Sequence, residues 1–255
     1  MDPYIGITDF TKFTQVEAML EVFNTHLRPG SQRKLHVGVM MSYKTLNGIP
    51  SKWSGIFPDK NQIRKIFSSL ETYNCIHYAD YDGYPEAWKS ISQAISHGGI
   101  HIHALQLDMI WPEPGQIANA VHTSRKNVEV ILQLGKYALD EAENDPQLVV
   151  RKLEDYEGVI HRVLLDKSMG QGKGMDAAGL LLFARAIKQA FPTLGIGAAG
   201  GLGPSTLHLV KPLAEEIPNL SIDAQGQLRS SGSAQDPIVW EMAGSYLQQA
   251  LQLLD

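Results

Sequence analysis

Short apolar runs alternate with longer stretches of mixed polarity along the chain. The runs predict eight buried strands, at residues 4–8, 35–41, 75–79, 100–107, 128–134, 160–165, 194–198 and 220–222. Between them, apolar residues at helical spacing predict helices, among them residues 15–26, 62–70, 86–97, 146–155, 180–190 and 239–254. This alternation is typical of repeated βα units. Eight units predict a closed (βα)8 TIM barrel, and the alternative is an open doubly wound sheet.

Length and composition agree with one barrel domain over residues 1–255. The chain has 255 residues, 44% of them hydrophobic, and such barrels typically have about 250 residues. The net charge is −5 and the charges are mixed, so no basic tract indicates nucleic acid or a membrane surface. No apolar stretch approaches the ~20 residues that cross a bilayer, and the N-terminus lacks a signal-peptide pattern. We therefore expect a cytoplasmic protein.

The cysteine and the histidines give little indication of a metal centre. One cysteine, Cys75, excludes an intramolecular disulfide and a cysteine-rich metal site. His101 and His103 share one strand face, as a metal pair would. They lie at the start of the fourth predicted strand, away from the end at which barrels bind ligands. We interpret the strand histidines as core or bottom-face residues, and expect no metal and no cofactor.

Charged residues follow the predicted strands, where barrels of this kind carry their active sites. Asp166 ends the apolar run 163–165 and precedes the glycine-rich residues 170–174. The other strand ends contribute Thr8, Asp9, Lys44, Asp80, Asp82, Asp108, Lys136, Lys167, Asp223 and Gln225. Ionisable groups that lie close together can shift each other's pKa values apart, so that one group acts as an acid and another as a base. For Asp80, Asp82 and Lys167 we favour outward-facing or paired side chains.

A second glycine cluster follows the seventh strand. Residues 198–205 read Ala-Ala-Gly-Gly-Leu-Gly-Pro-Ser and predict a helix beginning near Pro204 or Ser205. Glycine lets the backbone approach an anion, and N–H groups at a helix start point at it. Loops after the seventh and eighth strands frequently form the phosphate site of such barrels. The candidate phosphate-binding residues are Gly172, Gly200, Gly201, Gln225 and Gly226.

Several of these segments resemble the phosphoribosylanthranilate isomerase family. Residues 5–8, Ile-Gly-Ile-Thr, resemble its Cys-Gly-Ile-Thr, and residues 105–108, Leu-Gln-Leu-Asp, its Val-Gln-Leu-His. Residues 164–166 and 170–173 resemble its Leu-Leu-Asp and its Gly-Ser-Gly-Lys loop. Residues 199–202, Ala-Gly-Gly-Leu, resemble its Ser-Gly-Gly-Leu.

The resemblance implies acid–base isomerisation of a phosphorylated sugar or phosphoribosyl compound. In the family an acid protonates the furanose ring oxygen, and a base removes the proton on C2. The acid corresponds to Asp166, but the position of the basic cysteine is Ile5, which cannot transfer a proton. Asp108, at the position of the family's strand-four histidine, is the candidate replacement base. The arginine that holds the anthranilate carboxylate has no clear counterpart, and Lys44 or Lys52 is a candidate substitute.

Two other functions stay open. One is a non-catalytic phosphosugar-binding protein. The other is a Schiff-base aldolase or lyase using Lys136, which requires burial to depress the pKa of that lysine. The candidate substrate-binding residues are Lys136, Lys44 and Trp111. In every case the expected partner is a small phosphorylated metabolite, while the oligomeric state, including a homodimer, is left open.

Overall fold

A closed parallel barrel forms the centre of the molecule. The computed structural model describes residues 1–83, 85–166 and 175–255. The strands of this part of the chain follow one another around the barrel in sequence order. They are β1 Tyr4–Thr8, β2 Lys34–Ser42, β3 Tyr73–Ala79, β4 Ala104–Asp108, β5 Glu129–Gly135, β6 Arg162–Asp166, β7 Gly195–Ala199 and β8 Ser221–Ala224. The predicted TIM barrel is confirmed, and the open sheet is excluded because β1 also pairs with β8.

Helices alternate with these strands and cover the outside of the barrel. They are α1 Phe13–His26, α2 Tyr43–Leu46, α3 Ile63–Ile66, α4 Ala87–His97, α5 Pro114–Ser124, α6 Lys136–Glu141, α7 Pro146–Glu154, α8 Ala177–Ala190, α9 Lys211–Glu216 and α10 Trp240–Leu254. Their apolar faces pack with outward-facing strand residues in one large hydrophobic core. Within the described residues, no helix is both long and apolar enough to span a membrane.

Side chains of β1 alternate between the outside and the inside of the barrel, as strand geometry requires. Ile5 and Ile7 are fully buried in the core between strands and helices. Tyr4 belongs instead to a separate cluster inside the barrel. A Cβ on Gly6 would lie 2.5 Å from Oδ1 of Asp223, so position 6 also faces inward. Position 5, which corresponds to the family's catalytic cysteine, therefore faces away from the barrel interior.

Strand β4 begins at Ala104, whereas the sequence pattern predicted a strand from residue 100. A 3-10 turn occupies Gly99–His101, and Gly99 has a φ of +71°, which glycine tolerates best. Ile100 is 81% exposed, so its apolar character did not indicate a buried strand. His101 and His103 precede β4, at the bottom of the barrel as predicted.

Two predicted helices differ in the structure. The helix expected over residues 62–70 shortens to α3, because Phe67 leaves the helical conformation and the Ser68 hydroxyl bonds back to the carbonyl of Lys65. The helix expected from Pro204 or Ser205 does not form there. The Thr206 hydroxyl donates to the carbonyl of Gly201 at 2.6 Å and closes a turn, and α9 begins only at Lys211.

Helix α5 was not among the helices predicted individually. The Glu113 side chain accepts hydrogen bonds from the backbone N–H groups of Gly115 and Gln116, and Pro114 occupies the first turn. A carboxylate before a proline that starts a helix satisfies otherwise unpaired N–H groups. The Glu-Pro pair was therefore a readable start signal.

Candidate active site

An inner cavity opens among the C-terminal ends of the strands. Both predicted catalytic residues, Asp108 and Asp166, line it. The predicted phosphate-binding residues Gly200, Gly201, Gln225 and Gly226 line it as well. Gly172 and Lys167 lie outside the described residues. One cavity thus contains the groups that the sequence assigned to acid–base chemistry and most of those assigned to phosphate binding.

A wider outer cleft continues from the inner cavity. The two share Met40, Asp108, Gln133, Asp166 and Gln225. The cleft has a volume of about 790 Å³, within the range of about 300–1,000 Å³ that holds small ligands. Five aromatic side chains line it: Tyr43, Trp53, Phe57, Tyr81 and Tyr137. Apolar ring surface beside a carboxylate-lined chamber suits a ligand with one polar and one flatter, less polar end.

Asp108 is the last residue of β4 and is mostly buried. The hydroxyl of Tyr81 donates a hydrogen bond to its carboxylate. Burial raises the pKa of Asp108 to about 6; the hydrogen bond from Tyr81 opposes this rise and the charge of Asp166 adds to it. Such a carboxylate is ionised at neutral pH but more basic than an ordinary aspartate, which suits a general base.

Asp166 ends β6 and is approached by a pair of glutamine side chains. The amide nitrogen of Gln106 donates to the oxygen of Gln133 at 2.8 Å. The amide nitrogen of Gln133 lies 3.5 Å from Oδ2 of Asp166. The two glutamines therefore orient the carboxylate from inside the barrel. Sequence reasoning missed both, although each stands two residues before a strand end and so shares its inward face.

A third carboxylate, that of Asp223 on β8, lines the inner cavity. The hydroxyl of Thr8 donates to its Oδ2 at 2.7 Å. Burial raises the pKa of Asp223 to about 7, and the charges of Asp166 and Asp9 contribute. Among the described residues that line this cavity there is no lysine or arginine. The described residues therefore give the inner cavity an acidic lining.

The turn after β7 is built on glycines in the left-handed region. Gly200 has a φ of 102° and Gly201 a φ of 69°, conformations that strain other residues. At Gly226 a Cβ would lie 3.0 Å from the carbonyl oxygen of Gly232, so this glycine serves loop packing. Because no helix starts at residues 204–205, a phosphate here would be held by turn backbone. The prediction that N–H groups at a helix start near Pro204 or Ser205 bind the phosphate is wrong.

A buried ion pair ties the eighth loop to the first strand. The guanidinium of Arg229 contacts the carboxylate of Asp9 and donates to the carbonyl of Asp236 at 2.6 Å. The side-chain amide of Gln225 also donates to Asp9, at 2.9 Å. Burial raises the pKa of Asp9, while Arg229 and Gln225 oppose the rise. The Gln225 amide is thus directed at Asp9, and this pair fixes the wall that carries Gly226.

The three candidate lysines, Lys44, Lys52 and Lys136, line the outer cleft, and Lys44 and Lys136 are engaged with carboxylates. Lys44 Nζ lies 2.8 Å from Asp82, which agrees with the expected pairing of Asp82. Lys136 is half-exposed and pairs with Asp140 one helical turn later. Its pKa is raised by the hydrogen bond to Asp140, whereas a Schiff-base lysine requires a depressed pKa. The premise of the aldolase or lyase alternative is therefore wrong.

Trp111 has a structural role. It lines neither the inner cavity nor the outer cleft as the described residues define them. Its indole N–H donates to the carbonyl of Ala138 at 2.8 Å, and its ring packs near Tyr156 and under Lys152. The predicted substrate contact of Trp111 is corrected accordingly, because its polar group and its faces are used within the protein.

Comparisons with known proteins support the fold. No protein-family model matches the chain, and no curated protein matches it significantly. The catalytic domain of a hyperthermophilic chitinase from Pyrococcus furiosus superposes with a TM-score of 0.56 at 12% identity, covering 98% of this chain and 95% of that chain. A phosphonopyruvate hydrolase superposes with a TM-score of 0.55 at 14% identity, covering 98% and 92%.

A third similar structure is 3-keto-L-gulonate-6-phosphate decarboxylase from Vibrio cholerae O1 biovar El Tor. It superposes with a TM-score of 0.53 at 13% identity, covering 100% of both chains. At such identities a likeness establishes the barrel and does not transfer an activity. The resemblance to phosphoribosylanthranilate isomerases therefore stays a prediction.

Proposed function

We propose that the protein is an acid–base isomerase of a phosphorylated sugar or phosphoribosyl compound, with Asp166 as general acid and Asp108 as general base. The observation that carries this proposal is that both carboxylates line one cavity at the ends of β4 and β6. The raised pKa of Asp108, about 6, supports its role as the base. Enzymes use such separated environments to run acid and base chemistry together.

The proposed chemistry begins at the sugar ring. Asp166 gives a proton to the ring oxygen, and the bond from that oxygen to C1 breaks. Asp108 then takes the proton from C2, which produces an enol or enolamine. The proton on Asp108 returns to C1 while the C2 hydroxyl loses its own proton, which yields the ketone at C2, and that hydroxyl proton restores Asp166 to its acid form. One positioned acid or base contributes about 10²–10⁴ in rate.

The acidic chamber also sets the orientation of the ligand. Carboxylates of Asp108, Asp166 and Asp223 would repel a phosphate placed among them. The phosphate is therefore assigned to the turn of Gly200 and Gly201, where backbone can approach an anion. The sugar carbons then lie over the carboxylates, and any aglycone extends into the aromatic outer cleft.

The proposal predicts proton exchange at C2 with a defined pH dependence. Wild-type protein is incubated in D2O with ribose 5-phosphate, glucose 6-phosphate or phosphoribosylanthranilate, and NMR follows deuterium at C2 of the starting compound and at C1 of the ketose product. Asp108 acts as a base only when ionised, so the rate is expected to rise with pH through about 6.

Ribose without a phosphate is the matched control for the anion site, and a much slower exchange is expected with it. Exchange with none of these compounds, or a rate that falls steadily as the pH rises through 6, contradicts the proposed isomerase. Equal exchange with ribose and with ribose 5-phosphate contradicts only the phosphate assignment.

A second candidate is a non-catalytic phosphosugar-binding protein. The position of the resembling family's cysteine is Ile5, which is buried between the barrel and its helices. The residue at this position therefore cannot act as that family's base, because it is apolar and because its side chain faces away from the barrel interior. Raised thermal stability with ribose 5-phosphate, without deuterium incorporation, would favour this binding function over catalysis.

A further inference from the structure

Below the inner cavity, two histidines and the one cysteine of the chain meet inside the barrel. His36 comes from β2, and Cys75 and His77 come from β3. Their potential ligand atoms all lie within 4.8 Å of one another, and all three residues are buried. We propose that His36, Cys75 and His77 form a binding site for one zinc ion, which goes beyond the proposed isomerase function.

The distance between the two imidazoles fits a shared ion. Nε2 of His36 lies 3.3 Å from Nε2 of His77. Two nitrogen ligands at about 2.0–2.1 Å from a tetrahedral zinc ion are separated by about 3.4 Å. A thiolate ligand would stand about 3.6 Å from each nitrogen. Because the present separations are 4.8 Å or less, a movement of the sulfur by at most about 1.2 Å would bring Cys75 into place.

The contacts of the Nδ1 atoms of His36 and His77 indicate which ring nitrogen of each imidazole carries the proton. The Thr8 hydroxyl donates to Oδ2 of Asp223 at 2.7 Å, so it can only accept from Nδ1 of His77, 3.4 Å away. Nδ1 of His36 lies 3.9 Å from Oδ1 of Asp223. These last two atoms are buried and have no hydrogen-bond partner among the described residues; a proton on Nδ1 of His36 faces the carboxylate, at a distance longer than a hydrogen bond.

These two assignments leave both Nε2 lone pairs directed at each other. Lone pairs 3.3 Å apart repel unless a cation lies between them. Histidines that bind a metal usually donate their other N–H to a carboxylate or to a group bonded to one. The carboxylate of Asp223 is linked to His77 through Thr8, and its Oδ1 lies 3.9 Å from Nδ1 of His36, which is longer than a hydrogen bond. A small movement of His36 on binding an ion would bring its Nδ1–H to Asp223 and give both imidazoles a supporting group.

Charge and ligand chemistry favour zinc. Imidazole and thiolate together suit zinc better than magnesium or calcium, which prefer oxygen ligands. The thiolate of Cys75 and the carboxylate of Asp223 together balance the two positive charges of the ion, which buried charges require. His77 also lines the inner cavity, so a water molecule can supply the fourth tetrahedral position.

The test uses the full-length chain without a histidine tag. Protein is stripped with a chelator, loaded with zinc or cobalt at pH 8, freed of excess metal and analysed for metal content. We expect about one equivalent per chain. Because Cys75 is the one cysteine, a thiolate-to-cobalt charge-transfer band in the cobalt protein can come only from this residue.

Two variants identify the ligands. Cys75→Ala is expected to lose the band and most of the bound metal, whereas His122→Asn, which alters an exposed histidine, should keep both. Wild-type protein without stoichiometric zinc, or with bound cobalt but no thiolate band, overturns the site even if a variant fails to fold. Deuterium exchange at C2 by metal-free protein would leave the isomerase proposal intact, so the two proposals fail separately.

Discussion

Asp166→Asn is expected to lower the rate of C2 deuterium exchange and of isomerisation by about a hundredfold or more. Asparagine has nearly the same shape and keeps a group beside Gln133, 3.5 Å from the present carboxylate, but it cannot donate an acidic proton to the ring oxygen. The effect should appear in kcat, because ligand contacts elsewhere in the cavity are unchanged. It is measured with the substrate that the wild-type protein turns over.

Asp140→Asn is the matched control for this variant. Asp140 is a half-exposed aspartate that pairs with Lys136 at the rim of the cleft, so its loss should leave kcat near the wild-type value. Wild-type turnover in Asp166→Asn, with an unchanged thermal midpoint, would remove Asp166 from the mechanism. If the thermal unfolding midpoint of Asp166→Asn falls together with its kcat, the loss of activity reflects a folding defect instead.

Arg229→Met is expected to destabilise the fold by about 3–5 kcal/mol, because it leaves a buried carboxylate uncompensated. The side chains of Arg229 and Asp9 are 2% and 8% exposed. Asp9 also has a φ of 92°, an uncommon conformation that neighbouring contacts must hold. The free energy of unfolding is measured by urea denaturation at pH 7.

Arg185→Met provides the comparison for Arg229→Met. Arg185 pairs with Glu216 on the surface, where both side chains are largely exposed, and exposed pairs contribute little to stability. Only a small change is expected. Similar losses in the two variants would show that the Asp9–Arg229 pair has no special role in holding the eighth loop.

The barrel was predictable from sequence because each strand is a short apolar run bounded by polar or glycine residues. Errors arose where local contacts overrode composition. Ile100 is apolar but exposed, so strand four was placed too early. Thr206 closes a turn on Gly201, which a Gly-Pro-Ser pattern does not reveal. Such side-chain bonds depend on the fold and carry no periodic signal.

The candidate site was predictable only in part. Strand-end position indicated Asp108 and Asp166 because parallel strands present their C-terminal ends at one rim of the barrel. It did not distinguish inward from outward side chains, so Ile5 could be aligned with a catalytic cysteine although it faces the helices. The pairing of Lys136 with Asp140 was readable as an i,i+4 contact. The hydrogen bond of Trp111 with Ala138 was not, because it joins separate βα units.

The most direct test of the proposed site is a crystal structure of the protein soaked with ribose 5-phosphate. We predict the phosphate against the backbone of Gly200 and Gly201, with C1 and C2 of the sugar between Asp108 and Asp166. A phosphate bound in the outer cleft near Lys44, or a sugar that contacts neither carboxylate, would contradict the proposed acid–base site.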